Sequence, residues 1–327
     1  MRKIAVAAAL LLSSAAQAQT AYDELPLDKG NLSVFIEDSA GYLQEPTQIR
    51  TVEVTEGGYY GYGWFHHVVS GLYRSDVELW DHYAGNQLWT YSDDWYRAFD
   101  FDAPRGGEYS YRIGPCERYN VTYNPLGASI LTPAGKFNQT RSHELAGAVD
   151  PWVRCMGPTL THISTAQNVG VVSYVDGERK GHLLYARVGG AVVASGPRSV
   201  SRQGNLETTM VVPETGLYHG DAAASFQVAL IVTNHSDADE MLFFGSGQKI
   251  EIDVFDAEGI FIRSLSTGRV FTQATEQVRL APGASEVYYG VVPATFEDGT
   301  RLDGVFQIVA YIKANGMSKN AIDVAVK

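Results

Sequence analysis

The chain contains 327 residues, of which 45% are hydrophobic and 19% are charged, and its formal net charge is −12. This acidity disfavours nucleic-acid binding, because the protein and a phosphate backbone repel each other. The length exceeds what one hydrophobic core usually serves, so we expect two domains. After the amino terminus, no apolar stretch approaches the roughly 20 residues of a membrane-spanning helix, and we expect no membrane span.

The amino terminus has the three parts of an export signal. A basic start, Met1-Arg2-Lys3, precedes an apolar run over residues 4–12 that is too short to cross a bilayer. Ala16-Gln17-Ala18 then fits the small-x-small rule for cleavage. The sequence therefore predicts a signal peptide over residues 1–18, removed after Ala18, and a periplasmic or extracellular location.

Residues 19–200 are predicted to form an antiparallel β-domain. Short runs rich in β-branched and aromatic residues alternate with Gly, Pro, Asn and Asp, a pattern typical of strands and turns. The predicted strands cover residues 48–54, 60–69, 76–80, 87–92, 108–113, 169–175 and 182–188. The last two form a hairpin across a turn at residues 176–181, and no segment shows sustained helical periodicity.

Cys116 and Cys155 are the two cysteines of the chain. In an oxidising compartment an isolated pair favours a disulfide over a metal site, because no CxxC or histidine cluster accompanies it. His66 and His67 are adjacent in a predicted strand and would point to opposite faces, so they cannot share a metal ion locally. We expect a structural disulfide, no metal centre and no cofactor.

Aromatic residues crowd the stretch between residues 59 and 101, which holds Trp64, Trp80, Trp89 and Trp95. One interpretation is a stacking platform for a glycan or a peptide, because amphipathic rings suit partly wet contact surfaces. The other, which we favour, is that the rings form a sheet core and cross-strand pairs. Both interpretations stay open, and the four tryptophans are candidate binding residues.

Five carboxylates lie in and after this stretch. Asp93, Asp94, Asp100, Asp102 and Glu108 could supply oxygen ligands to Ca²⁺. Their spacing does not match an EF-hand loop, and aspartates in loops are usually solvated. We therefore favour solvated carboxylates over a calcium site.

Residues 201–327 are predicted to form a second antiparallel β-domain, entered through a polar boundary at residues 201–205. The stretch before it, residues 189–221, is rich in Gly, Ser, Thr and charged residues, as a linker would be. The predicted strands of the second domain cover residues 206–212, 227–233, 305–312 and 322–326.

A hairpin and a second turn are predicted between these strands. Ile250, Ile252 and Val254 alternate with polar residues, which is the period-two pattern of a half-buried strand. Residues 256–259 supply a turn before a return strand. Residues 281–284, Ala-Pro-Gly-Ala, predict a further turn of type II.

Four short elements occur in a fixed order in this region. They are Asn234-His235-Ser236-Asp237, Gly245-Ser246-Gly247-Gln248, Gly268-Arg269-Val270-Phe271-Thr272-Gln273 and Leu280-Ala281-Pro282-Gly283-Ala284-Ser285. In this order they resemble the intracellular proteinase inhibitor (BsuPI) family. The resemblance covers about the last third of the chain, and it implies an immunoglobulin-like β-sandwich that binds a protease.

The candidate binding residues of this region are Ser246, Gly247, Gln248, Phe271, Thr272 and Gln273. A protease-binding loop needs an exposed, rigid and extended segment. The same residue types suit loops that cross between the sheets of a sandwich, where Gln248 and Gln273 would hydrogen-bond backbone groups. We favour the structural role, and the binding role stays open.

Three functions compete. The first, which we favour, is an exported, non-enzymatic binding protein of the cell envelope, whose partner is a protease, another envelope protein, or a glycan or peptide at the aromatic region. The second is a secreted or periplasmic proteinase inhibitor. The third is a hydrolase in the amino-terminal domain, although the sequence offers no GxSxG, HExxH, P-loop or dinucleotide signature and no catalytic residue.

Each function predicts a different structural feature. An exposed aromatic face would favour the envelope binding protein. A protruding, ordered loop near Gly247 or Gly268 would favour the inhibitor. A cleft that holds a histidine and an aspartate within hydrogen-bond reach would favour the hydrolase.

Overall fold

The computed structural model of the protein describes residues 25–39, 48–57, 65–71, 74–84, 86–91, 95–113, 117–125, 127–148, 160–213, 225–314 and 316–326. Within these ranges the chain forms strands and turns and no α-helix, which confirms the all-β prediction. Accordingly, this described part contains no helix with the length and apolarity to span a membrane.

The first part of the chain forms one large antiparallel sheet, which we call the first sheet. Its region contains β1 (Leu32–Ser39), β2 (Gln48–Gly57), β3 (Phe65–Gly71), β4 (Arg74–Ala84), β5 (Gln87–Tyr91), β6 (Trp95–Asp100), β7 (Glu108–Ile113), β8 (Glu117–Asn124), β9 (Ile130–Thr132), β10 (Gly135–Phe137), β11 (Thr140–Ala148), β12 (Leu160–Ala166), β13 (Gly170–Asp176), β14 (Arg179–Val188) and β15 (Ala191–Ser195). The hydrogen-bonded order is β6-β5-β4-β3-β2-β1-β14-β13-β12-β11-β8-β7, with β15 also paired to β14, while β9 and β10 form a separate hairpin.

The first sheet coils around a core in which several aromatic rings pack among aliphatic side chains. Its end strands β6 and β7 come to lie side by side. The buried rings are Phe35, Phe99, Tyr109, Tyr123 and Tyr174. Phe99 and Tyr123, together with the partly buried Phe101, pack around His143, whose own side chain is fully buried. This core therefore contains a titratable group among its apolar side chains.

The second part of the chain forms a sandwich. Its strands are β16 (Arg198–Gln203), β17 (Leu206–Val211), β18 (Ser225–Asn234), β19 (Glu240–Phe244), β20 (Ile250–Phe255), β21 (Phe261–Ser264), β22 (Glu276–Leu280), β23 (Ser285–Pro293), β24 (Gly304–Ile312) and β25 (Asn320–Val326). One sheet has the order β16-β17-β18-β23, the other has the order β21-β20-β24-β25, and β19 pairs with β22. An aliphatic core lies between the sheets. These strand orders are those of an immunoglobulin-like sandwich with an added edge strand, as the resemblance implied.

Strand β18 is buried on both of its faces. Phe226, Val228, Leu230 and Val232 alternate along it and point into the sandwich core. The intervening residues Ala229 and Ile231 are buried in a different cluster, on the outer side of the same sheet. A strand covered on both faces has a nearly continuous apolar sequence, and residues 226–233 show this pattern.

The first sheet covers the outer face of the sandwich. The apolar cluster between them consists of Leu32, Val34 and Ile36 from β1, Leu184 and Tyr185 from β14, and Val211, Ala229 and Ile231 from the sandwich. At its edge, the buried Arg187 guanidinium donates hydrogen bonds to Gly30 O at 3.0 Å, Thr233 Oγ1 at 2.9 Å and Ser285 Oγ at 2.9 Å. The two parts are thus joined by both apolar packing and a buried charged group.

Each strand predicted from the sequence overlaps an observed one, but two local predictions differ from the structure. The turn between β13 and β14 is two residues long, Gly177 and Glu178, and not six, because Asp176 pairs directly with Arg179. Gly177 has a φ of 64°, which such a tight hairpin turn needs. The polar stretch over residues 189–221 contains strands β15, β16 and β17, and the exposed residues of β15 and β16 account for part of its polar sequence. The predicted domain division after residue 200 falls inside β16 and stays a prediction.

Candidate functional site

The loop between β21 and β22, residues 265–275, is an exposed segment of the sandwich. It starts with Leu265, which is buried in the sandwich core. A turn follows in which Arg269 N donates to Ser266 O at 3.0 Å. Gly268 has a φ of 73°, as expected at the third position of a type II turn. From residue 269 to residue 275 the chain has no regular secondary structure, and most of these side chains are exposed.

Arg269 and Val270 form the tip of this loop. The Val270 side chain is 99% exposed, the highest value among the large exposed hydrophobic side chains of the described residues. The Arg269 guanidinium is also exposed and makes no hydrogen bond or ion pair with any residue that the structure describes. A positive charge and a fully solvated apolar side chain therefore stand next to each other.

A buried carboxylate fixes the beginning of the loop. Glu251 in β20 is only 6% exposed. Its Oε1 accepts a hydrogen bond from Ser266 N at 3.0 Å, and its Oε2 accepts one from Gln248 Nε2 at 2.7 Å. Hydrogen bonds to an ionised carboxylate are stronger than neutral ones. The sequence pattern placed Glu251 on the solvated side of its strand, and these two donors explain why it is buried instead.

A close backbone approach fixes the other end of the loop. Gly247 N donates to Thr272 O at 2.9 Å, so the segment before β20 and the segment before β22 are joined. A Cβ atom on Gly247 would overlap Thr272 Oγ1, so a larger residue here would force the threonine side chain to move. The Lys249–Glu276 ion pair, with Nζ to Oε2 at 2.6 Å, closes the same junction.

The structure thus brings the two predicted motifs together. Ser246 and Gln248 are partly buried, and Gln248 Nε2 also donates to Ile250 O at 3.1 Å, as expected for a structural residue. Phe271 is partly buried, whereas Thr272 and Gln273 are exposed. Gln273 makes no side-chain hydrogen bond to a described residue, contrary to our expectation for it. The motifs hold the loop, and its tip is Arg269-Val270, which belong to the third motif but were not among the candidate binding residues.

The aromatic candidates lie largely outside what the structure describes. Trp64 is not described, and of Trp80 and Trp95 only the backbone positions in β4 and β6 are described. Tyr91 pairs with both of these residues in the register of β4, β5 and β6. Trp89 is partly buried, and its Nε1 donates to Gln87 Oε1 at 3.3 Å. The choice between a binding platform and cross-strand packing therefore stays a prediction.

The structure describes only some of the residues in the predicted metal and disulfide sites. Cys116, Cys155, Asp93 and Asp94 lie outside the described residues. Asp100 Oδ2 accepts a hydrogen bond from Gln87 Nε2 at 2.9 Å, and Asp102 Oδ1 accepts one from Asn86 Nδ2 at 2.6 Å. Among described residues, no group of three or more His, Cys, Asp or Glu side chains could hold a metal ion.

A histidine and serine pair in the first sheet bears on the hydrolase alternative. His162 Nε2 lies 2.8 Å from Ser164 Oγ, and Glu144 is directly opposite His162 in the register of β11 and β12. Burial lowers the pKa of His162, and the negative charge of Glu144 opposes this shift. Ser164 is 0% exposed, so its hydroxyl is not accessible to a substrate. The pair is best explained as a satisfied polar contact within the sheet.

The comparisons with known proteins concern the sandwich. Residues 214–317 match the family described as BsuPI, intracellular proteinase inhibitor. This range contains β18 to β24 and the whole 265–275 loop, so the carboxy-terminal third carries a proteinase-inhibitor-like module. The match confirms the resemblance inferred from the order of the short motifs.

The comparisons with curated proteins and with solved structures do not extend the family match. No curated protein matches the chain. One similar solved structure is described as "Functional and Structural Characterization of a beta-Glucosidase Involved in Saponin Metabolism from Intestinal Bacteria". It is 14% identical, with a TM-score of 0.20, and the match covers 42% of this chain and 17% of that one. A likeness this weak supports no conclusion about fold or activity.

Proposed function

We propose that this protein is an exported, non-enzymatic binding protein that inhibits a proteinase through the 265–275 loop of its sandwich. The observation that carries the proposal is the exposed Arg269-Val270 tip, which hydrogen bonds anchor on both sides. The sequence alone favoured a more general binding protein of the cell envelope. The exposed loop near Gly268, with hydrogen bonds on both sides of its tip, supports the inhibitor instead, and the family match to residues 214–317 supports a proteinase as the partner.

The physical argument is preorganisation. A flexible loop that becomes ordered in a proteinase cleft loses conformational entropy, and this loss weakens binding. Here Ser266 N is held by the buried carboxylate of Glu251, and Thr272 O is held by Gly247 N. The few residues between these anchors are limited to a narrow range of conformations before any partner arrives. An inhibitor needs this property to bind tightly without being unfolded and digested.

The remainder of the sandwich surface is less suited to a partner. The outer face of β17, β18 and β23 is already covered by β1 and β14 of the first sheet. The loop lies outside that covered face. The isolated sandwich would expose Ala229 and Ile231 to water, so functional tests require the full chain.

Export is part of the proposal because the basic start, the apolar run and Ala16-Gln17-Ala18 support a cleaved signal peptide. Intact-mass analysis of the protein after expression with its own amino terminus would test this step. Cleavage after Ala18 is the expected result, and retention of Met1-Arg2-Lys3 in the mature protein would contradict it.

The central experiment is a titration of the mature full-length protein against active-site-titrated serine proteinases. We expect stoichiometric inhibition of at least one enzyme. Val270→Asp should weaken that inhibition at least about 30-fold, because truncation or charging of an interface hot spot typically costs 2 kcal/mol or more. Leu131→Asp is the matched control, since Leu131 is also an exposed hydrophobic residue, 72% exposed, but belongs to β9. If Val270→Asp and Leu131→Asp weaken inhibition equally, the loop is not the inhibitory site. The same conclusion follows if the natural protein inhibits none of the enzymes.

A further inference from the structure

We infer that Arg269 determines which proteinase is bound, and that the partner is a serine proteinase that cleaves after Arg or Lys. This inference rests on the proposed function and extends it from a loop to a specificity class. It depends on where Arg269 stands in the loop, on its free charge and on the residue that follows it.

The position of Arg269 is that of a residue presented to a cleft. The turn over residues 266–269 ends at Arg269, and the chain then continues without regular secondary structure to residue 275. The backbone anchors lie at Ser266, three residues before Arg269, and at Thr272, three residues after it. Arg269 is thus midway between two fixed points, at an exposed position that a bound enzyme could contact.

The charge of Arg269 is available to a partner. Two other arginines of the sandwich are already engaged: Arg263 Nη1 donates to Thr295 O at 2.7 Å, and Arg279 pairs with Asp239, with Nε to Oδ2 at 2.8 Å. The Arg269 guanidinium makes no such contact with a described residue. A specificity pocket that selects basic side chains contains a carboxylate, and a guanidinium can form two parallel hydrogen bonds with a carboxylate.

Val270, which follows Arg269, also suits binding to a proteinase. Val270 is 99% exposed, so a partner would bury a large apolar surface immediately after the arginine. A free arginine followed by a fully exposed valine combines a charge for specificity with apolar area for affinity. An overall acidic chain with formal charge −12 also makes this isolated cation a distinct feature of the loop.

The test compares two enzymes and three variants of the full-length protein. The enzymes are a proteinase that cleaves after Arg or Lys and one that cleaves after large apolar residues, both active-site-titrated, with a chromogenic peptide as substrate. We expect inhibition of the first enzyme and an inhibition constant for Arg269→Leu that is at least about 30-fold higher. Arg269→Lys should stay within about tenfold of the natural protein, because lysine keeps the charge but not the bidentate geometry. Arg279→Leu removes an arginine of the same sandwich and should leave inhibition of this enzyme unchanged.

The outcomes separate this inference from the proposed function. Inhibition that is sensitive to Val270→Asp but insensitive to Arg269→Leu would overturn the specificity role and leave the inhibitor proposal standing. Inhibition confined to the enzyme of apolar specificity would do the same. Inhibition of neither enzyme, or stoichiometric cleavage between Arg269 and Val270 without inhibition, would overturn the inference. Thermal melting of each variant distinguishes a lost contact from a lost fold.

Discussion

The two cores of this protein differ in chemistry. The sandwich core is formed mainly by Leu, Ile, Val and Ala side chains from both of its sheets. The core of the first sheet has aromatic rings around the buried His143, whose Nδ1 lies 3.2 Å from Tyr109 Oη. The buried cluster of the sandwich consists of apolar side chains with Tyr288 packed against it, and because tyrosine ionises only near pH 10, this core should be insensitive to pH between about 5 and 7. The aromatic core should weaken when its histidine is forced to accept a proton.

Each part of the protein also contains a buried charged side chain. Arg187 joins the first sheet to the sandwich, and Glu251 joins a loop to its own sheet. Each is nearly inaccessible to water, and each is satisfied by several hydrogen bonds to neighbouring groups. Buried charges of this kind fix geometry, because any displacement leaves a polar group without a partner. One of them sets the relation between the two parts, and the other sets the shape of the candidate site.

The largest expected effect comes from two neighbouring residues of β18. Leu230→Ala and Ile231→Ala should each destabilise the protein by about 2–5 kcal/mol, because both side chains are fully buried. Leu230 packs in the sandwich core and Ile231 packs against the first sheet. Unfolding should be followed by both far-ultraviolet circular dichroism and tryptophan fluorescence, since all five tryptophans lie between residues 64 and 152.

The natural protein should show coincident transitions with the two probes, because the shared apolar cluster couples the two parts. Ile231→Ala should separate them, whereas Leu230→Ala should lower the stability of the sandwich without loosening the contact. If Ile231→Ala is as mild as a surface substitution, the two parts do not stabilise each other.

An intermediate effect is expected from pH. Burial, followed by the charges of His162 and Arg141, lowers the pKa of His143 to about 3. Between about pH 6.5 and pH 3, His143 is therefore protonated in the unfolded chain but neutral in the folded chain. The folded state has its full stability above about pH 6.5, and it loses stability as the pH falls towards 3. At pH 5 this amounts to about 2 kcal/mol. Denaturant unfolding at pH 7 and pH 5, monitored by tryptophan fluorescence, would measure it.

The matched variant is His143→Phe, which keeps an aromatic ring beside Phe99 and Phe101 but cannot titrate. Its loss of stability between pH 7 and pH 5 should be smaller than that of the natural protein by about 2 kcal/mol. Identical pH dependence of the two proteins would show that His143 accepts a proton without cost in the folded state.

The smallest effect is local to the candidate site. Gly247→Ala should cost about 1 kcal/mol and loosen the loop, because the added methyl group overlaps Thr272 Oγ1. The double variant Gly247→Ala/Thr272→Ala should recover part of that loss, since the overlapping hydroxyl is gone. Limited proteolysis at Arg269 is the readout. If only Gly247→Ala is cleaved faster than the natural protein, the contact between Gly247 and Thr272 restrains the loop. Equal cleavage rates in all three proteins would contradict the proposed anchor.

Much of the architecture could be predicted from local pattern. The alternation of Ile250, Ile252 and Val254 identified β20, and these three residues are buried in the sandwich core. The turn at residues 256–259 forms as predicted, with Gly259 at a φ of 80° and Asp256 Oδ1 accepting from Ile260 N at 2.7 Å. Local rules succeed here because the turn residues and the period-two pattern act over only a few positions.

Other features could not be read from the sequence. β11 and β12 have small and polar residues, such as Ser142 and Ser164, on one face, so the alternation that would reveal them is weak. At Arg269 and Val270, exposure depends on how the flanking segments are held, and no short pattern contains that information. A polar stretch in which an arginine and then apolar residues follow a turn glycine is the signal that could have directed attention to this tip.

The sequence by itself determined the strands, the turns and the family to which residues 214–317 are similar, because these depend on residue type and on order along the chain. Tertiary structure alone decided that Ile231 is covered by the first sheet, that Glu251 is buried, and that Gly247 holds Thr272. Alternation shows that a strand has an apolar face, but it does not reveal which surface will cover that face. Hydrogen bonds such as Ser266 N to Glu251 join residues 15 positions apart, and only the folded chain brings their atoms within reach.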